Sequence, residues 1–143
     1  MEKHELSKQE ALDKAQAYCA HSEHCAADVR RKLWEWGIEP SLHDFIEEKL
    51  FADCFLNNER FCKAYVHDKV AYQRWGRMKI RAGLQALQLP NAAIQKAMDE
   101  LDEKTYFANL HFLSQQHQSY REDQKLRFLL QRGFTYDEIR KYL

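Results

Sequence analysis

Apolar residues return every three or four positions along most of the chain, in short runs punctuated by cap and stop residues. Leu12, Ala15, Ala17, Tyr18 and Cys19 follow Ser7, a good N-cap side chain, and predict a helix from about Ser7 to Ala20. After His21-Ser22-Glu23-His24, the spacing of Ala26, Val29, Leu33 and Trp36 predicts a second helix, and Gly37 supplies its stop. Pro40-Ser41 opens a third, with Leu42, Phe45, Ile46 and Leu50 on one face. Its early Asp44 and late Lys49 suit the helix dipole.

The same grammar then restarts twice. A helix from Asn58 carries Phe61, Cys62, Tyr65, Val66 and Lys69; Trp75-Gly76 begins another with Ile80, Leu84 and Leu87 on one stripe; Pro90-Asn91 begins a third with Ile94, Met98 and Leu101. The last round has a Tyr106, Leu110, Leu113 helix, a Leu126, Leu129, Leu130 helix closed by Gly133, and a segment from Thr135 to Leu143. The helix-two ends at Leu33, Leu84 and Leu129 lie 51 and 45 residues apart. Such a period is what stacked three-helix units produce. The fold class expected is therefore all-α, with three tandem three-helix repeats over residues 7–51, 53–101 and 102–143. A plain helical bundle without repeats is the alternative.

Composition agrees with helices: 45% hydrophobic and 13% aromatic residues are too many for disorder, and four Gly and two Pro leave few turns. No apolar run reaches the roughly 20 residues of a membrane span, and Met1 to Glu5 open no export signal, so the chain is expected in the cytoplasm with reduced thiols. Cys19, His21, His24 and Cys25 form the one conceivable zinc cluster, but no C-x-x-C spacing supports it. Cys62 has the spacing of a small buried hydrophobe. No metal or cofactor is expected.

Catalytic chemistry is equally hard to find. There is no Gly-rich phosphate loop, no nucleophile elbow, no H-E-x-x-H, and His67 and Asp68, adjacent on a helix, point about 100° apart. The expectation is a protein that binds and is not an enzyme.

Charge shows where it would bind. Lys and Arg together number 22, as do Asp and Glu, yet from Lys69 to Met98 the chain has Lys69, Arg74, Arg77, Lys79, Arg81 and Lys96 and no acid. Like charges at helical spacing repel by a few tenths of a kcal/mol per close pair, a cost usually kept where an anionic partner neutralises it. Arg30-Arg31-Lys32 and Arg140-Lys141, as short runs, read better as solvated helix faces. Trp34, Trp36 and Trp75 are candidate stacking platforms, with core packing the better reading of Trp36. Acids cluster at Glu39 to Glu59 and at Asp99 to Glu103, a bipolar surface unlike that of a simple basic, dimeric DNA-binding helix-turn-helix protein.

Four runs together resemble the RecX family, regulators of the RecA recombinase: His24 to Leu33; Glu59-Arg60-Phe61-Cys62-Lys63-Ala64-Tyr65-Val66; Trp75-Gly76 to Leu84; and Lys125 to Phe134, which holds Arg132-Gly133-Phe134, with Ile139. Cys25 and Asn58 stand where the family usually has Ser and Asp caps. The resemblance implies an elongated, curved array of three-helix units lying in the groove of the RecA filament on single-stranded DNA. It implies a monomer without cofactor or reaction of its own that restrains RecA in DNA repair, homologous recombination and the SOS response. The residues expected to face filament or DNA are Arg30, Arg31, Lys32, Arg74, Trp75, Arg77, Lys79, Arg81, Lys125 and Arg132. An autonomous single-stranded nucleic-acid-binding module without RecA specificity is the alternative.

Because Arg74, Arg77 and Arg81 border the Ile80, Leu84, Leu87 stripe without entering it, replacing all three by Ala is expected to leave melting nearly unchanged, as for exposed charges, while weakening binding.

Overall fold

The computed structural model describes residues 5–142, without the side chain of Tyr142; the expectations resting on Met1 to His4 and on Leu143 lie outside the described residues. Among the described residues there are nine α-helices and no strand: α1 Lys8–His21, α2 Ala26–Glu35, α3 His43–Ala52, α4 Asn58–Asp68, α5 Arg77–Ala86, α6 Asn91–Asp99, α7 Glu103–Gln116, α8 Glu122–Gln131 and α9 Tyr136–Tyr142. A single 3-10 turn, Pro40–Leu42, precedes α3, and a π-helical turn, Lys69–Gln73, follows α4.

The starts are capped by side chains that the sequence supplies. Ser7 accepts from the Glu10 amide at 3.1 Å while Glu10 Oε1 accepts from the Ser7 amide, a reciprocal cap. Asp28 Oδ2 accepts the Cys25 amide, so α2 compensates for its cysteine at the N-cap from the other side. At α4 the capping residue is Asn57, whose Oδ1 accepts the Arg60 amide at 2.9 Å. The cap expected at Asn58 therefore lies one residue earlier, because Asn58 is already the first helical residue.

The second helix of each triple ends in the same way. Ile38, Leu89 and Phe134 donate their amides to the carbonyls of Leu33, Leu84 and Leu129, and Gly37, Gln88 and Gly133 between them have left-handed φ of 70, 62 and 101°. Each is a Schellman closure, and both apolar partners of each closure are buried. The 51- and 45-residue register seen in the sequence is therefore a register of real geometric features.

Compactness divides the chain into two units, one ending at Phe61 and the other beginning at Cys62, inside α4. The first unit holds α1 to α3 around Ala11, Leu12, Ala15, Val29, Leu33, Ile38, Ile46, Leu50 and Leu56. Arg60 of the Glu-Arg-Phe run bonds Glu23 and the carbonyls of Cys54 and Phe55, pinning the turn that leads into α4. The second unit holds six-helix packing in which Val66, Val70, Ile80, Leu84, Ile94, Met98, Tyr106, Leu110, Leu129, Phe134 and Ile139 are buried. Leu130, expected among the packing residues of α8, is 42% exposed, and Leu129 and Phe134 take the buried places.

The second and third helix triples share one unit because their backbones touch. The Gly76 amide donates to the Arg132 carbonyl at 2.7 Å and the Met78 amide to the Gly133 carbonyl at 2.9 Å. The N-terminus of α5, with donors that its own helix cannot satisfy, thus sits on the C-terminus of α8, with acceptors in the same position. A Cβ on Gly76 would fall inside the backbone of Gly133 and Phe134, and one on Gly133 would meet Lys79.

Two glycine substitutions should therefore move stability in opposite directions. Gly76→Ala forces the seam apart and should cost about 1–3 kcal/mol or more, whereas Gln88→Gly relieves a left-handed side-chain-bearing residue and should gain up to about 1 kcal/mol. Urea unfolding followed by circular dichroism measures both.

Candidate functional site

Above this seam the basic run sorts into two groups. Arg77, the first residue of α5, faces inward: its Nε bonds Glu138 Oε2 at 3.2 Å, its Nη2 bonds Glu103 Oε1 at 3.4 Å, and its guanidinium lies 4.8 Å from the Tyr106 ring. Its amide donates to the Tyr106 hydroxyl at 3.0 Å, and that hydroxyl donates to Glu138 Oε1 at 2.9 Å. Glu138 also accepts the Thr135 amide, while Thr135 Oγ1 accepts the Glu138 amide, the reciprocal cap of α9. One carboxylate thus ties the starts of α5 and α9 to α7. Burial opposes the Arg77 charge, but its bonds to Glu138, with Tyr106 and Glu103, outweigh it and raise its pKa further. Half-buried at the border of the packed interior, Arg77 is tied to acids of its own fold, unlike the solvated cation that the sequence suggested.

Arg132 is likewise directed inward. Its Nη2 donates to the carbonyls of Gln73 and Arg74, closing the end of the π-helical turn. Arg74 is not on α5 at all; it is the left-handed residue, φ 52°, that ends that turn. Arg81 bonds Gln95 Oε1 at 3.0 Å.

The second group remains at the surface without an acid. Lys69 and Lys79 place their ammonium groups 4.4 and 4.5 Å from the Trp75 ring, and the Arg74 guanidinium lies 4.3 Å from the ring of Phe112. Among the described residues no carboxylate pairs with any of these three cations. Tyr72 is 72% exposed beside them in sequence. Cations held on aromatic faces, uncompensated by acids, can meet phosphate or carboxylate oxygens with their charge and flat groups with their rings. The ten residues expected at the contact include Arg74, Trp75 and Lys79 but neither Lys69, placed by the sequence only in the basic run, nor Phe112. Lys69 was legible as the residue four after Tyr65, whose ring it also covers at 5.2 Å; Phe112 reaches Arg74 only through the packing of α7.

The other expected residues lie elsewhere. In the first unit Arg30 makes a two-pronged pair with Glu47 at 2.7 and 2.8 Å, which raises its pKa. Arg31 has Asp28 and Glu35 within 4 Å, and Lys32 pairs with Glu35 at 3.1 Å, so the acids of that unit offset this trio. Lys125 is half-buried on α8. Trp34 is 62% exposed and edge-on to His43, while Trp36 packs against the first unit's core, the use favoured from sequence.

Among the described residues no group of three His, Cys, Asp or Glu side chains converges to hold a metal. Within the conceivable zinc cluster, His24 stacks on Tyr18 with ring centroids 3.8 Å apart, and the Cys19 thiol is pushed up to about 11 by burial, with Glu23 and Asp28 adding to the shift.

Burial, reinforced by Glu138, also pushes the Tyr106 phenol well above its ordinary 10, which makes stability depend on alkaline pH. The folded chain keeps this proton while the unfolded chain loses it, so the contribution is full below about pH 10 and declines by up to about 1.4 kcal/mol per pH unit above it. Tyr106→Phe should cost about 1–3 kcal/mol at neutral pH, by leaving the Arg77 amide and Glu138 short of a partner. It should also lose stability more gently from pH 10 to 11 than the parent in thermal melts.

Residues 57–98 match the family model described as RecX, second three-helix domain. The chain is 29% identical over 122 residues to the regulatory protein RecX of Geobacillus kaustophilus, covering 85% of this chain and 45% of that relative. It is 27% identical over 135 residues to the regulatory protein RecX of Leptothrix cholodnii, covering 91% and 85%. The chain thus spans less than half the length of the first relative and most of the second. Its fold is similar to the crystal structure of RecX from Lactobacillus salivarius, with a TM-score of 0.77 at 18% identity over 94% of this chain and 93% of that one. It is similar also to a crystal structure of a regulatory protein RecX, with a TM-score of 0.79 at 16% identity over 99% and 81%. At such identities the likeness is one of fold, and it agrees with the all-helical, three-repeat arrangement expected from the sequence. In sequence over residues 57–98 and in fold over nearly its whole length, the chain is similar to RecX proteins.

Proposed function

We propose that this protein regulates RecA, binding the RecA filament on single-stranded DNA and restraining its ATPase, recombinase and coprotease activities in DNA repair. The observation that carries the reading is the cluster of Lys69, Arg74 and Lys79 on the rings of Trp75 and Phe112 without acidic partners, in a chain whose relatives are named regulatory proteins RecX. This surface meets DNA phosphates or acidic groups of RecA. Binding is the whole of its action; it transforms no substrate and works as a cytoplasmic monomer. No described helix is long and apolar enough to cross a membrane. Its three repeats run over 7–51, 53–101 and 102–143, and Arg30, Arg31, Lys32, Arg81 and Lys125 are further contact residues.

A second reading, an autonomous module for single-stranded nucleic acid, is favoured by the same rings, since aromatic faces beside cations suit unpaired bases. Comparison of binding to bare and to RecA-coated single strands separates the two. The regulator should prefer the coated strand and inhibit DNA-dependent ATP hydrolysis by RecA. Tight binding to bare strands only, with steep salt dependence and no effect on RecA, would leave the second reading standing. Replacing Arg74 and Lys79 together by Ala should weaken filament binding on the order of tenfold to a hundredfold and leave helicity unchanged, because neither side chain pairs with an acid of its own fold. A folded double variant that inhibits RecA undiminished would remove this surface from the contact.

A further inference from the structure

Arg132, half-buried, differs from every cation of the basic and aromatic surface. Its Nη2 faces the carbonyls of Gln73 and Arg74, its Nε is buried without a partner, and among the described residues no carboxylate pairs with it. Its own carbonyl accepts the Gly76 amide at 2.7 Å. One residue therefore brackets the stretch from Gln73 to Gly76 from both sides.

That stretch needs holding. The π-helical turn ends at Arg74 in a left-handed conformation that side-chain-bearing residues adopt only when their surroundings impose it. The turn is held at three places: the Val70 carbonyl accepts from buried Asn109 at 2.7 Å, the Lys69 carbonyl accepts from the Trp75 amide at 3.1 Å, and Arg132 closes the end. The side chains that leave this turn are Arg74, bound for Phe112, and Trp75, between Lys69 and Lys79. A guanidinium is suited to this because its donors are fixed in one plane and its charge is permanent, so it can grip two adjacent carbonyls at the negative end of a helical turn.

We infer that Arg132 is a positioning residue, which through the carbonyls of Gln73 and Arg74 sets the place of Arg74 and Trp75 on the binding surface and does not itself meet the bound anion. The inference rests on the surface proposed above and adds to it the device that shapes it.

Two measurements on the full chain test it. The first needs no ligand: in Arg132→Gln, trypsin should cut the Arg74–Trp75 bond roughly tenfold faster or more, with helicity unchanged, because the local hold on that bond is gone. The second uses a fluorescein-labelled oligo(dT). Arg132→Gln should bind it roughly tenfold more weakly, as Arg74→Ala does, and the double variant should bind no more weakly than the worse single one, with the same salt dependence as Arg74→Ala. Arg132→Lys keeps charge and reach but concentrates its donors on one nitrogen; it should fall between, and it carries both tests if the Gln variant fails to fold. Additive losses, with a further drop in salt dependence in the double variant, would show that Arg132 touches the strand and overturn the inference. Unchanged cleavage and unchanged affinity would overturn it as well. Wild-type protein that binds no oligo(dT) and leaves RecA untouched would instead overturn the surface assignment, and the positioning role with it, whatever trypsin showed.

Discussion

The contact of Gly76 with Gly133 is the constraint on which the second unit depends. Two backbones can approach closely enough for the Gly76 and Met78 amides to reach the Arg132 and Gly133 carbonyls only where neither chain carries a Cβ. The contact satisfies orphan donors of one helix with orphan acceptors of another, and it aligns the positive end of α5 with the negative end of α8. The Arg77, Tyr106 and Glu138 bonds then form around a junction already placed. The Trp-Gly and Arg-Gly-Phe runs that carried the family resemblance are the two halves of this one contact.

That junction also explains the division of the cations. Neutralising every positive charge internally would leave nothing to bind with, and exposing every one would burden the fold with repulsion. Residues at the junction, Arg77 and Arg132, are used to tie helix ends, where a rigid guanidinium reaches several acceptors at once. Lys69, Arg74 and Lys79, one step outward, rest on Trp75 and Phe112, which hold a charge near a preferred place without cancelling it. In the first unit Arg30, Arg31 and Lys32 have nearby acids, and the same residue types end as surface ion pairs of modest worth.

Repetition enters through backbone geometry more than through side chains. The closures at Gly37, Gln88 and Gly133 share their hydrogen bonds and their buried apolar pairs although the residue at the left-handed position differs. Gln88 shows that the closure survives without glycine when Leu84 and Leu89 are buried on either side of it. Only the last copy also needs glycine for space, because it is there that another helix arrives.

The sequence by itself determined the helices, most of their caps and the 51- and 45-residue register, because these depend on neighbours within about five residues: Ser7 with Glu10, Leu33 with Ile38, Leu129 with Phe134. Even the cap of α9, Thr135 with Glu138, was written there in the three-residue spacing of a reciprocal cap. Tertiary structure alone decided which arginines tie helix ends and which rest on aromatic rings, because their partners are remote: Arg77 lies 61 residues from Glu138 and 29 from Tyr106, and Arg132 lies 58 from Arg74. A positive charge in a sequence has no stated direction. Periodicity could place Arg74, Arg77 and Arg81 beside an apolar stripe, but a π-helical turn moved Arg74 off that helix and the half-buried Glu138 carboxylate paired with Arg77, and neither event leaves a local mark in the chain.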